Sequence, residues 1–301
     1  MFAVIGILVV IGAVVGGYLL EHGQIKVLMQ PAELLIIGGA AVGTLLIGNS
    51  PRILRRIVHS FKGIISGSKF SRLHYVDSLK MIFELLNKAR KDGLVALELD
   101  IEEPDKSEIF KRFPLFLNDH QARDFVCDTL RMAITGNLDP FDVDQMMEVD
   151  MEVHHQEASD SIGALTTMAE SLPGLGIVAA VLGVVITMGA LGGPPEKIGE
   201  KVAAALVGTF LGVLLCYGFV GPLASNLAKL AEEERAYYHV LRVAIVAYIK
   251  GTPPIMAVET ARRAVPTYVR PSFLEVEQAC KNRGSSVVPS PSEAAEAPVA
   301  D

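Results

Sequence analysis

The sequence predicts an all-α polytopic membrane protein with four transmembrane helices and a large helical cytoplasmic region. Three observations carry that reading. Uncharged runs occupy Met1–Leu20, Leu34–Pro51, Ser171–Pro195 and Val202–Leu223. Half of the 301 residues are hydrophobic and the mean hydropathy is +0.39, too apolar for an ordinary water-soluble domain. Arg52, Arg55, Arg56, Lys62, Lys69 and Arg72 follow the second run with no acidic residue among them. An α-helix rises about 1.5 Å per residue, so runs of this length suffice for a hydrocarbon core of about 30 Å.

Taken in order, residues 1–20 form the first span. They lack the basic start and small-residue cleavage site of a signal peptide, which argues against that alternative. Gly12 and Gly16 form a GxxxG pair that permits close helix approach in a membrane. Glu21 to Glu33 is expected to be a short polar turn, and residues 34–51 the second span, with a second GxxxG pair at Gly39 and Gly43. The basic cluster after it is the signature of a cytoplasmic flank. It puts both termini and the segment from Arg52 to Glu170 in the cytoplasm, and the short loops Glu21–Glu33 and Glu196–Lys201 outside.

The cytoplasmic region, 52–170, reads as helical. Tyr75, Leu79, Ile82 and Leu86 recur at helical spacing, and the turn pair Asp92-Gly93 ends that helix. LVALELDIEE follows from Leu94 to Glu103, then Pro104. Gln121 to Thr135 is amphipathic, with Gly136 as its C-terminal stop. Asp139 and Pro140 then supply an N-cap and a first-turn proline for a helix that can run without a break toward Ser171. No Lys or Arg occurs from Met132 to Pro195, while Asp139, Asp142, Asp144, Glu148, Asp150, Glu152, Glu157 and Asp160 cluster there. A solvated helix face is favoured for these acids over a docking surface. The third span, 171–193, and the fourth, 202–223, are separated by so short a gap that they form an antiparallel hairpin. Residues 224–283 read as cytoplasmic C-terminal helices: the fourth helix continues through NLAKLAEEERAYYHVLRVAIVAYIK, and a short helix lies between proline-marked turns. The Pro/Ser/Ala-rich tail, 284–301, is expected to be disordered.

Composition and motifs exclude several classes. A net charge of -7 disfavours nucleic acid as a partner. Cys127, Cys216 and Cys280 are few, odd in number and far apart, which fits reduced thiols and neither a disulfide framework nor a zinc cluster. Glu152 and His155 stand at E-x-x-H spacing, but a two-metal bundle needs two such motifs and further carboxylates. His154 and His155 are therefore expected to be solvated polar residues. There is no phosphate-binding GxxxxGK[ST] loop, no GxSxG elbow and no nucleophile–base pair, so neither a catalytic residue nor a cofactor is expected.

The third and fourth spans carry no Asp, Glu, His, Lys or Arg. They read as one wall of a pathway whose charged carrier comes from elsewhere. Pro173 and Pro222 mark the same membrane face of this pair and suggest a hinge, although kinks in membrane helices are often merely structural. Thr44, Thr187, Thr209 and Tyr217 are the main hydroxyls within the spans, and a membrane threonine usually bonds its own backbone. Thr209 lies about 10 Å into its span and Ala180 about 13 Å into the preceding one, so the two can meet near mid-membrane.

PAELLIIGGA in the second span, SLPGLGIVAAVLGVV in the third and ALVGTFLGVLLCYGFVGPLA in the fourth resemble the MotA family of flagellar stator subunits, in the MotA/TolQ/ExbB proton channel group. SEIF at Ser107–Phe110, PPIMAVETARR and RPSF resemble it too, so the likeness extends to about Glu277. The resemblance implies a subunit of the bacterial inner membrane, five copies of which surround a MotB dimer. MotB supplies one membrane helix with an essential aspartate and a peptidoglycan-binding domain, and the rotor protein FliG is the target of the torque. It further implies Arg90 and Glu98 as rotor-facing charges, Pro173 and Pro222 as hinge prolines, and Thr209 near an ion path that Ala180 and Tyr217 are expected to line with it. Sodium-coupled relatives carry a threonine at the position of Ala180, so the resemblance implies proton coupling here. The alternatives are an ExbB- or TolQ-type energiser of envelope proteins, whose relatives usually have three spans, and a membrane scaffold without conduction. A stand-alone transporter would need intramembrane ionisable residues of its own.

Overall fold

A computed structural model of the protein describes residues 2–136, 139–189, 192 and 194–282. Among the described residues there is no strand. The helices are α1 (Phe2–Leu20), α2 (Ile25–Leu28), α3 (Pro31–Gly48), α4 (Pro51–Ser66), α5 (Arg72–Asp92), α6 (Glu98–Glu102), α7 (Pro114–Leu117), α8 (His120–Gly136), α9 (Pro140–Met188), α10 (Pro195–Leu214), α11 (Gly221–Ile249), α12 (Pro254–Ala264) and α13 (Phe273–Lys281). A π-helical turn, Leu215–Val220, joins α10 to α11. Four of these stretches are long and apolar enough to cross a membrane: α1, residues 25–48, α9, and residues 198–249. The expected disordered tail, 284–301, lies outside the described residues.

Local chemistry sets the helix starts. Proline opens α3, α4, α7, α9, α10 and α12, where its missing N–H costs nothing and its fixed φ suits the first turn. Asp139 caps α9 as the sequence predicts: its carboxylate accepts from the Phe141 N–H at 2.8 Å. Ser272 and Glu275 form a reciprocal capping box that starts α13 within RPSF.

The chain divides into two compact units. The first comprises Met1–Gly67 and Gln156–Ala231. On α3, the buried residues Glu33, Ile37 and Ala41 recur every four positions and so form one stripe. Ile37 and Ala41 pack with Ala169, Leu172, Ala179 and Cys216. None of the α1 side chains is buried, and on α9 Ile177, Val178, Val181, Leu182 and Val184 to Ile186 are all exposed. Such continuous apolar surface is untenable in water and suits lipid or another membrane helix.

The second unit comprises Ser68–His155 and Glu232–Asp301. Its centre is α5, which buries residues all round its circumference and packs against α12 and α13. Around Leu79, Ile82 and Leu86 the core gathers Phe110, Phe113 and Phe116, Val126 of α8, and Tyr237 and Leu241 of α11. The Tyr237 hydroxyl is satisfied at 2.8 Å by Ser78.

Candidate functional site

Within the first unit, α9 and α10 meet along a seam of small residues. On α9 it runs through Leu172, Gly176, Ala179 and Gly183; on α10 through Ala205, Gly208 and Gly212. The spacings of three and four residues keep each set on one helix face. The backbones touch: a Cβ on Gly212 would lie 2.6 Å from the Leu172 carbonyl oxygen and 2.8 Å from Gly176 Cα. A Cβ on Gly176 would lie 2.9 Å from the Gly208 carbonyl oxygen. The sequence expectation of a tight hairpin thus acquires a register.

That register sets the Ala180 backbone against Gly208, the residue before Thr209: the Ala180 amide nitrogen is 3.3 Å from where a Cβ on Gly208 would sit. The Ala180 and Thr209 side chains are both half-buried. The span hydroxyls divide as their chemistry suggests: Thr44 donates to the Ala41 carbonyl and Thr187 to the Gly183 carbonyl, each at 2.8 Å. Thr209 has no hydrogen bond among the described residues, so its hydroxyl is open to a water or a partner group. Tyr217 is 73 % exposed on the π-helical turn, so the structure does not enclose it with Ala180 and Thr209.

A titratable group enters this wall. Sequence reading puts Glu33 in a polar turn before the second span. Instead α3 begins at Pro31, and Glu33 in its first turn is buried, with its carboxylate reaching Gly183 and Gly208 across the seam. Spans three and four lack charged residues, yet a carboxyl group from α3 lies against both. The missed signal was the four-residue spacing of Glu33, Ile37 and Ala41 behind the helix-opening Pro31.

Pro173 lies inside α9, which continues through it without a break. A proline there removes the bond to the Ala169 carbonyl four residues back. Pro222 is the second residue of α11, one residue beyond the close of the π-helical turn, where the Gly221 N–H bonds the Cys216 carbonyl five residues back. The wider turn accommodates a residue that has no N–H to give and whose ring crowds the preceding turn.

In the second unit Arg90 and Glu98 stand on either side of Gly93, whose φ of +86° is open to glycine and strained for other residues. Both are exposed, and neither forms an ion pair among the described residues. What positions them lies beneath. Leu97 and Ile101 are buried, and the buried Asp100 carboxylate accepts from Lys88 Nζ at 2.6 Å and Ser107 Oγ at 2.5 Å. Ser107 Oγ in turn accepts from the Ile109 and Phe110 amides. The SEIF segment is thus a local cap that ties α6 to α5. Val95 and Leu99 are exposed beside the two charges, a feature that sequence reading did not single out.

The acidic run of α9 is less solvated than expected. Arg242 bonds Asp144 at 2.6 Å and Glu148 at 3.1 Å, Arg235 bonds Glu152 at 3.2 Å, and Arg56 pairs with Glu157. The basic partners come from elsewhere in the chain, which a local run of like charge cannot reveal. His154 stacks on Tyr238 with ring centroids 5.9 Å apart, and His155 is largely buried, so neither is simply a solvated polar residue. Among the described residues no cluster of His, Cys, Asp and Glu is arranged to hold a metal.

Comparison with known proteins supplies the family. The family model described as motility protein A N-terminal matches residues 4–93, and that of the MotA/TolQ/ExbB proton channel family matches residues 118–239. Motility protein A of Salmonella typhimurium is 38% identical over 278 residues, covering 92% of this chain and 94% of that protein. Motility protein A of Escherichia coli gives the same identity and coverage. In three dimensions the chain shares the fold of the flagellar MotAB stator complex from Bacillus subtilis, with a TM-score of 0.73 at 21% identity, over 90% of this chain and 98% of that one. The two family models and the relatives 38% identical over 92% of its length establish that the chain belongs to the motility protein A family.

Proposed function

We propose that this chain is a flagellar stator subunit that, with a MotB-like one-span partner, conducts protons across the bacterial inner membrane and turns that flow into torque on the rotor. The family supports the class of function. The observation that carries the mechanism is the unspent Thr209 hydroxyl, one residue from the contact of Gly208 with the Ala180 backbone at the α9–α10 seam. It offers one oxygen to a water path toward an aspartate that the partner contributes. Sodium needs several oxygens to replace its lost water. At Ala180 a methyl group stands where a second hydroxyl would complete such a cage, so this reading takes the ion to be the proton.

In this reading five copies ring two partner helices, both termini are cytoplasmic, and FliG is met by Arg90 and Glu98. Exposed charges of this kind steer and register a transient contact more than they stabilise a fold. Pro173 and the π-turn before Pro222 serve as the hinge through which a protonation event in the membrane moves the cytoplasmic helices. One charge crossing 100 mV releases about 2.3 kcal/mol, enough to bias a packed interface between two arrangements.

The test is swimming speed of cells in which this subunit and its partner supply the only stators. Speed should be unchanged when external sodium is removed and should fall to zero when an uncoupler collapses the proton gradient. Arrest on sodium removal, reversed by its return, would overturn proton coupling.

A further inference from the structure

Glu33 is 7 % exposed within a single chain, and its Oε2 has no hydrogen-bond partner. A Cβ on Gly208 would stand 2.7 Å from Oε2, and one on Gly183 would stand 3.6 Å from Oε1. Any other residue at Gly208 would fill the space that the carboxyl group uses. The same Gly208 position is 3.3 Å from the Ala179 Cβ and from the Ala180 nitrogen. The carboxyl group therefore lies in the seam against Gly208, the residue before Thr209.

The ordinary role of a glutamate at the third position of a helix is to reach back to the N-cap amide or to face the helix end in water. Glu33 does neither: α3 has no side-chain cap, and the carboxyl group is turned into the protein. Among the described side chains no cation balances it. The charged ones described at this end are Lys26 of α2 and Glu196, Glu200 and Lys201 of α10, and all four are exposed. From Ser171 to Met188 α9 carries no charge. A dry, unpaired carboxylate is costly, whereas a neutral acid avoids that cost and gains an O–H donor.

We propose that Glu33 is a proton-holding site of the ion path, one that this subunit supplies in addition to the partner's carboxylate. The proposal rests on the proton-conducting reading above. Glu33 lies about 22 Å along α3 from Gly48, after which the basic flank begins, so it belongs to the outer end of the span. A proton arriving by water forms an O–H bond at the carboxylate; that bond breaks as the proton moves on past Thr209, and the carboxylate is restored. The glycines at positions 183 and 208 leave room for the group to exchange between a dry, protonated seat and a wetter, charged one.

Two measurements on the co-purified complex and on swimming cells decide it. Infrared difference spectra of wild type against Glu33→Gln at neutral pH should show loss of one neutral carboxylic acid carbonyl band. In cells, Glu33→Gln should assemble normally, and its speed should fall with rising external pH about one unit earlier than wild type, while Glu33→Asp, which keeps a titratable group, recovers part of that range. Absence of the neutral-acid band, superimposable speed profiles, or failure of Glu33→Gln to assemble with the partner would each overturn the proposal, the last in favour of a packing role. If the wild type itself proves sodium-driven, the proton-conducting reading fails on its own, and the infrared band still reports on Glu33.

Discussion

The α9–α10 seam makes a demanding test, because its glycines meet backbone. Gly212→Ala introduces a Cβ 2.6 Å from the Leu172 carbonyl oxygen and 2.8 Å from Gly176 Cα, where ordinary contact begins near 3.4 Å. Neither atom belongs to a flexible side chain, so the helices must part by close to an ångström. A gap of that size forfeits about a quarter to a half of the dispersion energy along the contact, and overpacking of this kind typically costs 1–3 kcal/mol. The control is Gly163→Ala on α9, the other helix of the pair, where a Cβ meets nothing within 4 Å. There the change should be neutral or stabilise by up to about 1 kcal/mol, since glycine is the poorer helix former. In detergent, thermal unfolding of Gly212→Ala should drop by roughly 4–8 °C for a loss near 2 kcal/mol, with Gly163→Ala at or above wild type. Swimming should fail in Gly212→Ala at normal membrane level, because Gly208, which precedes Thr209, no longer lies against the Ala180 backbone. A Gly212→Ala protein as stable and motile as Gly163→Ala would refute the seam as the contact that sets the site.

Two further outcomes follow from the second unit. Asp100→Ala strands Lys88 and Ser107 and should lower stability by about 2 kcal/mol in denaturant titration, with loss of swimming, whereas Arg90→Glu and Glu98→Lys should impair swimming while moving stability by no more than about 0.5 kcal/mol; equal stability loss in all three would deny Asp100 its positioning role. Burial holds the His74 imidazole down to about 4, with Lys69 adding to the effect and Asp119 opposing it. The folded state therefore binds fewer protons than the unfolded one below the usual histidine value of 6.5, so stability is full above that pH and declines toward 4. The loss should reach about 2 kcal/mol at pH 5, and His74→Phe, which keeps the packing against Phe70 and Tyr237, should flatten it; an unchanged pH dependence would show that another group titrates.

Much of this architecture is legible in the chain itself, because it depends on local and one-dimensional signals. Charge-free runs of membrane length, a basic cluster on one flank, Asp139-Pro140 at the start of α9 and the turn at Asp92-Gly93 each act through their immediate neighbours. Pro173, Pro222, Ala180, Thr209, Arg90 and Glu98 are expected as site residues from the spans and the family resemblance, and their roles stand as proposals. What no linear reading could supply is which faces meet. The hairpin was evident, but its register, with Gly212 against Leu172 and Gly208 against Ala180, depends on how two glycine faces interdigitate. The acidic stretch of α9 looked solvated because its partners, Arg235 and Arg242, lie about 90 residues away along the chain. Glu33 looked like part of a polar turn because hydropathy averages over a window and cannot say which way a side chain points. Only the packing of α3 across α9 and α10 turns that carboxyl group inward, since direction is set by the helix phase at Ile37 and Ala41 and by the two glycines that leave it room.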